Sequence, residues 1–282
     1  MNYLLFNSHS KNGNNEGLRE KVHALFEGQE TKDLDVIGLN ADEFLASLKP
    51  EDDVTIIGGD GTFNHFINDV DTDNLPCKFY FYPGGTGNDL FNDLKDHVEN
   101  GRLYVNEIVK NLPIVIVNGK TSKFINGIGF GIDGYCCEVG DELQAKSDKP
   151  VNYTSIAIKG LLFHYKAPNA KVTVDGVTKE YKRVWFASAM KGRFYGGGMM
   201  VAPDQNRFEE ERLVTSAVMH KSGKIKTLMV FPSIFKGEHV KHTEMVDIRK
   251  GHDIKVEFDR PTALQIDGET VKNVLSYEVH IK

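Results

Sequence analysis

An α/β domain with a mainly parallel sheet, followed by an all-β domain, is the fold class the sequence predicts, and three observations carry it. Over residues 1–110, short apolar runs alternate with helix-length amphipathic stretches, the order that builds parallel sheets covered by helices. Over residues 111–282, many short strand-like runs are divided by turn signals such as NGK, DG and KG, the texture of a β-sandwich or barrel. Charge divides at the same place: the first part carries 9 Lys+Arg against 20 Asp+Glu, the second 25 against 20, within a total of -6.

The elements follow in order. "YLLFN" (3–7) predicts a first strand, "EGLREKVHALF" (16–26) a helix and "LDVIGL" (34–39) a second strand. A helix over 41–48, a strand over 54–57, a helix over 63–70, a strand over 79–82 and a helix from Asp89 complete the first domain. In the second, "LPIVIVNG", "KFINGIGF", "KVTVDG", "RVWFASAM", "RLVTSAVMH", "DIKVEFD", "TALQIDGE" and "VLSYEVHIK" read as strands. Two helical interruptions are expected, over 152–165 and over 223–240, the latter broken by Pro232. With no low-complexity linker in sight, the two domains are expected to pack with a cleft between them, and the last strand could return to the first domain.

Composition sets the class. At 282 residues, 40% hydrophobic and 26% charged, the chain fits two modest globular domains. "MNYLLFNSHS" does not read as a signal peptide, and no stretch reaches the length of a membrane-spanning helix, so a cytoplasmic protein is expected, peripheral to the membrane if it meets one. Three cysteines, two of them the neighbours Cys136 and Cys137, read as reduced structural thiols. The ten histidines show no zinc spacing, and His239 and His242 are expected at the surface.

The chemistry concentrates in two glycine-rich turns. In "VTIIGGDGTFNHFIND" (54–69) a buried-strand run ends at Gly58 and Gly59, Thr62 is a suitable N-cap, and Phe63, Phe66, Ile67 and Val70 fall on one helical face. The helix's opening N–H groups then point at whatever occupies the turn, which favours an anion. Asp60 in that turn is either part of a tight corner or a carboxylate that tolerates phosphate through a cation. No G-x-x-x-x-G-K-[ST] P-loop is present. "FYFYPGGTGNDLFNDL" (79–94) repeats strand, glycine-rich turn and helix, with Thr86 and Asn88 as polar contacts and Asp89 opening the helix. Two such turns at consecutive strands of a parallel sheet would lie side by side where open α/β sheets bind ligands.

GGDGT followed by PGGTGND, then "FINGIGFGID", "YGGGMMVAP" and a late "QIDGE", resembles the diacylglycerol kinase catalytic family, which includes soluble bacterial lipid kinases and is related to sphingosine kinases. The resemblance spans essentially the whole chain. It implies a Rossmann-like nucleotide lobe similar to phosphofructokinases and NAD kinases, a β-sandwich lobe, Mg-ATP bound in the cleft, and phosphorylation of a lipid hydroxyl such as that of diacylglycerol. Carried over residue by residue, Gly58, Gly59, Asp60, Gly61, Thr62, Asn64, Gly85, Thr86, Gly87 and Asn88 would touch ATP. In "FNSHSKNG", which stands where the family has N-P-x-S-G, Asn7 and Ser10 match while Ser8 replaces proline and Lys11 glycine; Asn7, Ser8 and Ser10 are still expected against phosphate. Asp60, Asp89 and Asp133 resemble the family's acidic cluster, which would serve Mg²⁺.

Asp267 and Glu269 are the expected proton acceptors, with Asp60 beside them in the catalytic set; a DG turn would present Asp267 at a lobe edge, although DG is also a common hairpin turn. Two departures stand out. After "AP" the chain offers Glu209, Glu210 and Glu211 where the family has an Asp-Gly pair for a structural Mg²⁺, and Phe91 and Asn92 replace a small residue and an arginine after Leu90. For the membrane, Lys221, Lys224, Lys226, Lys236 and Lys241 interleave with Leu228, Met229, Val230, Phe231, Ile234 and Phe235 in a basic amphipathic pattern, which equally describes an ordinary half-buried helix. No basic patch with stacking aromatics points to nucleic acid, and a homodimer is compatible with the chain. The alternatives are an NAD kinase-like small-molecule kinase, against which the lack of a T-G-S-T-A-Y-like segment counts, and a catalytically silent lipid- or nucleotide-binding protein.

Overall fold

The computed structural model describes residues 1–8, 16–85, 87–146 and 151–281. The chain forms two compact units, Met1–Leu112 and Pro113–Lys282.

In the first unit, β1 (Asn2–Phe6), α1 (Glu16–Ala24), β2 (Thr31–Asp35), α2 (Ala41–Ser47), β3 (Asp53–Gly58), α3 (Asp60–Asp69), β4 (Lys78–Pro83), α4 (Asp89–Asp93), β5 (Val98–Glu99) and β6 (Arg102–Tyr104) follow one another. The sheet order is β2-β1-β3-β4-β6-β5. The first four strands are parallel and the last two pair antiparallel at the edge. Leu4, Leu5, Phe6, Ile56 and Ile57 are buried, as expected of a sheet covered on both faces, and each contributes about 1.5–3 kcal/mol by leaving water. Phe63 of α3 meets Phe81 of β4 with ring centroids 5.0 Å apart, which docks α3 on the sheet.

Two boundaries differ from expectation. The second strand ends at Asp35 rather than Leu39, because the Asp35 carboxylate accepts the N–H groups of Ser8 at 3.2 Å and of Ile37 at 3.0 Å and turns the chain. α3 begins at Asp60 with Gly59 as its N-cap, so Thr62 lies inside the first turn instead of capping it.

The second unit comprises β7 (Ile114–Val117), β8 (Lys120–Lys123), β9 (Gly127–Phe130), α5 (Ile132–Lys146), α6 (Tyr153–Lys159), a π turn (Gly160–His164), β10 (Ala170–Val174), β11 (Val177–Tyr181), β12 (Phe186–Met190), β13 (Phe194–Tyr195) and β14 (Met199–Met200). β15 (Val214–Met219), α7 (Lys224–Val230), two 3-10 turns (Phe231–Lys236, Glu238–Lys241), β16 (Val246–Gly251), β17 (Asp253–Ile266) and β18 (Glu269–His280) complete it. The main sheet runs β16-β15-β12-β9-β17-β18-β7-β8, all antiparallel, with the β10–β11 hairpin joined to β17. β17 breaks register between Glu257 and Thr262, so its first half pairs with β10 and its last residues with β9. β18 pairs with β17 and β7, so the last strand stays in this unit rather than returning to the first.

Phe130 stacks on Phe258 at 3.9 Å at the centre of one core. Ile132, Trp185, Tyr195 and Ile234 belong to a second core on the side of α5 and α6. The 15-residue α5 was not expected, since two glycines dilute its helical signal. Gly134 is there for space: a Cβ on it would come 2.0 Å from the Ala263 carbonyl oxygen of β17. His239 is fully buried rather than at the surface, its Nε2 3.1 Å from the Val201 carbonyl. Among the described residues no helix is long and apolar enough to cross a membrane.

Candidate active site

The turn after β3 is built for a close approach of backbones. Gly59 is extended (φ -91, ψ -178) and its carbonyl accepts the first helical bond, from Phe63 N–H at 3.1 Å. The N–H groups of Gly61 and Thr62 consequently lie in the first turn of α3, where intrahelical acceptors are lacking and the helix dipole favours an anion. Asn7, at the end of β1, donates through Nδ2 to Thr62 Oγ1 at 3.0 Å and ties the first strand's end to that turn.

The turn after β4 lies directly alongside. Gly84 N–H donates to the Gly58 carbonyl at 2.8 Å. A Cβ on Gly85 would come 2.5 Å from the Gly59 Cα, so any side chain there would drive the two turns apart. Asn88 closes its own turn: it accepts from Gly85 N–H at 3.1 Å and donates to the Gly85 carbonyl at 2.8 Å. Its backbone is left-handed (φ 51), a conformation asparagine tolerates better than most residues. Gly87 is half-buried in the same turn.

Asp60 couples the turns. Its carboxylate accepts the N–H of Asp89 at 2.8 Å and of Leu90 at 3.0 Å, so it caps α4 from the neighbouring loop. Asp89 itself is buried at the start of α4, and Asn64 is buried in α3, its carbonyl and Oδ1 accepting from Asn68 Nδ2 at 2.9 and 3.3 Å. Beside the first of these turns a cavity of about 260 Å³ opens, lined by Asn7, Ile37, Leu39, Phe44, Thr62 and His65 among others. Its walls are largely apolar, as small-molecule sites are, with Asn7, Thr62, His65 and Asp69 as polar points. Of the remaining sequence-predicted contacts, Ser8 is half-buried beside Asp35, while Ser10 and Thr86 lie outside the described residues.

In the second unit Asp267 does not sit at an exposed edge. It is buried at the β17–β18 hairpin turn in a left-handed conformation (φ 47), followed by Gly268 at φ 96. Its Oδ2 accepts Ile125 N–H at 2.7 Å, and its Oδ1 accepts Asn126 N–H at 2.8 Å and Gly127 N–H at 2.9 Å. Three of about four lone-pair positions are thereby used to hold the loop before β9. Arg207 clamps the same loop through the Ile125 carbonyl and through Asn126 Oδ1 at 2.7 Å. Lys191 is buried nearby, donating to the Arg212 carbonyl at 3.2 Å; burial, with Arg207 and Arg212 beside it, lowers its pKa to about 8. Glu269, two residues after Asp267, is exposed.

Asp133 is buried at the start of α5, where Tyr195 donates its phenol proton to Oδ2, and Ser188 Oγ lies 2.9 Å from that phenol. Burial raises its pKa to about 7, with the Tyr195 bond opposing.

The residues present do not form a ready-made magnesium cage: among the described residues no three His, Cys, Asp or Glu side chains gather as metal ligands. Glu209, the candidate offered after "AP", lies 3.4 Å from Lys250 Nζ through Oε2, and its Oε1 has no hydrogen-bond partner among the described residues.

Residues 126–279 match the family described as the YegS C-terminal NAD kinase beta sandwich-like domain, and residues 2–120 match the diacylglycerol kinase catalytic domain. The chain belongs to the diacylglycerol kinase catalytic family. A diacylglycerol kinase of Bacillus subtilis (strain 168) is 24% identical over 231 residues, covering 79% of this chain and 73% of that protein. One from Mycobacterium tuberculosis (strain ATCC 25618 / H37Rv) is 24% identical over 212 residues, 72% of this chain and 66% of that one. The crystal structure of a diacylglycerol kinase from Bacillus anthracis strain Sterne shares the fold at a TM-score of 0.61 and 17% identity, over 99% of this chain and 93% of that one.

Several site features of this family member escaped sequence reasoning. The Asn7–Thr62 bond joins residues 55 positions apart, and Tyr195 reaches Asp133 across 62. No local pattern encodes either. The Lys191–Arg207–Arg212 group left a weak trace, three of the four cations within the 22 residues around the "YGGGMMVAP" segment.

Proposed function

We propose that this chain is an ATP-dependent lipid kinase that transfers the γ-phosphoryl group to a hydroxyl of diacylglycerol or a related lipid. The observation that carries the reading is the contact of the two glycine-rich turns at Gly59 and Gly85, beside the N-terminus of α3. That geometry supports a polyphosphate lying along the backbone N–H groups of Gly61 and Thr62, with Asn7, Ser8 and Asn88 as flanking polar groups. The cavity over Ile37, Leu39 and His65 is of a size for the nucleotide base. Magnesium would arrive with the triphosphate, which supplies most of its oxygens and whose charge it neutralises, and in this proposal Asp60 and Asp89 are the carboxylates of the first unit that would meet it through water.

For the acceptor, the family resemblance supports the Asp267–Glu269 strip. With Asp267 committed to the loop over Ile125–Gly127, Glu269 takes the hydroxyl proton in this proposal, and Asp267 positions the loop. The test is a labelled Mg-ATP incubation with a total lipid extract. Label in a single lipid class supports the kinase, whereas label in NAD would install the small-molecule alternative. A second reading, a nucleotide- or lipid-binding protein without turnover, is favoured by the hydrogen bonds that occupy Asp60 and Asp267. Nucleotide binding with no labelled product across a broad lipid panel would select it.

A further inference from the structure

Apolar side chains of large size are exposed together on one part of the second unit. Phe163 of the π turn is 72% exposed, Ile225 and Met229 of α7 are 74% and 70% exposed, and Phe235 of the following 3-10 turn is 45% exposed. Ile225 and Met229 are one helical turn apart on the same face, while Thr227 and Val230 bury the opposite face. α7 and the π turn are neighbours, tied by a 2.7 Å bond from Lys224 Nζ to the Leu162 carbonyl. Nothing in the fold needs these side chains outside: Leu161, Phe231 and Ile234, from the same segments, already fill the core beneath.

Charge says what covers the patch. Residues 153–174 and 213–237 together contain seven lysines and no aspartate or glutamate, in a chain of net charge -6. Lys226 pairs with Glu244 at 2.7 Å and Lys171 with Glu180 at 3.4 Å, while Lys159, Lys166, Lys221, Lys224 and Lys236 make no salt bridge among the described residues. An apolar face rimmed by more ammonium groups than carboxylates, with Glu238 near Lys236 and Glu244 paired to Lys226, fits the boundary of a bilayer, where side chains enter the acyl region and lysines reach anionic headgroups.

We propose that the outer surface of the π turn and α7 is a docking face for an anionic lipid bilayer, with Phe163, Ile225 and Met229 inserting and the surrounding lysines meeting headgroups. The choice of lipid over another protein rests in part on the lipid-kinase reading above; the exposure and charge stand independently of it.

The experiment is flotation of the full chain with vesicles of phosphatidylcholine alone and with vesicles in which roughly a third of the lipid is phosphatidylglycerol. The chain floats with the anionic vesicles, less so as salt rises. The triple variant Phe163→Ser, Ile225→Ser, Met229→Ser binds them about tenfold or more weakly, since three apolar side chains no longer leave water. Circular dichroism confirms its fold, and Leu143→Ser, an exposed apolar residue of α5, leaves binding unchanged. Failure of the native chain to float, or undiminished flotation of the triple variant, overturns the proposal. So does a triple variant that floats normally but loses self-association in sedimentation, which would make a second copy the occupant. Turnover on a short-chain diacylglycerol dispersed in water separates the two readings: the triple variant keeps it, and its absence in a native chain that still floats sinks the kinase reading alone.

Discussion

Replacing Asp267 by asparagine is the most informative single change. The native carboxylate accepts three backbone N–H groups, from Ile125 at 2.7 Å through Oδ2 and from Asn126 and Gly127 through Oδ1. An amide keeps Oδ1 for two of them, now as neutral bonds. Its NH₂ would face Ile125 N–H, leaving two buried donors without an acceptor. A charge-assisted bond lost in burial and an unsatisfied N–H cost about 2–4 kcal/mol together. The expected result is a loss of that size in unfolding free energy, read as lower midpoints in urea and heat, with turnover falling because the loop before β9 is no longer held. Glu269→Gln is the counterpart: at an exposed position, it should leave stability within about 0.5 kcal/mol of native while turnover collapses. If Asp267→Asn unfolds like the native chain yet abolishes turnover, the positioning role assigned to Asp267 is wrong and it is the proton acceptor itself.

Other outcomes follow from the same geometry. Gly85→Ala places a Cβ 2.5 Å from the Gly59 Cα, and by parting the turns should cost about 1–3 kcal/mol of stability and weaken nucleotide binding in calorimetry; native-like affinity would refute the shared site. Asp133, pushed up to about 7 from 3.8 by burial, stabilises the fold below the unfolded value and loses that contribution as pH rises through 7. Asp133→Asn, which can still accept from Tyr195, should therefore be more stable than native at pH 8, by on the order of a few kcal/mol, and melt higher; a lower melting point would mean the charge is needed. His239, lowered to about 4 from 6.5 by burial, works the other way: its neutral form stabilises fully above 6.5 and that contribution is lost as pH falls toward 4. Acid melts should show a loss on the order of 3 kcal/mol over that window, flattened in His239→Gln.

The parallel half of the fold was legible because its signals are local. Val54–Ile57 and Phe79–Tyr82 are apolar runs closed by glycine, and a buried parallel strand needs little else. α5 was hidden because Gly134 and Gly140 weaken a helical pattern for reasons of packing, the carbonyl of Ala263 in one case and the ring of Tyr153 in the other. At the site, the residue types were readable but their partners were not. Asp60 announced itself as a carboxylate among glycines, yet its role as a cap for α4 depends on two N–H groups 29 and 30 residues away. Likewise the DG pair marked a hairpin, while the burial of Asp267 depends on a loop some 140 residues earlier. His239 misled for the converse reason: a 3-10 turn rich in charge carries one side chain inward to the Val201 carbonyl.

The junction of Gly59 with Gly85, strapped by Asp60 to the start of α4, has a mechanical corollary. Two segments joined by a close backbone approach and a two-pronged carboxylate cap are expected to shift together when a ligand binds. Variants that tune speed without touching affinity should therefore be sought outside these two turns.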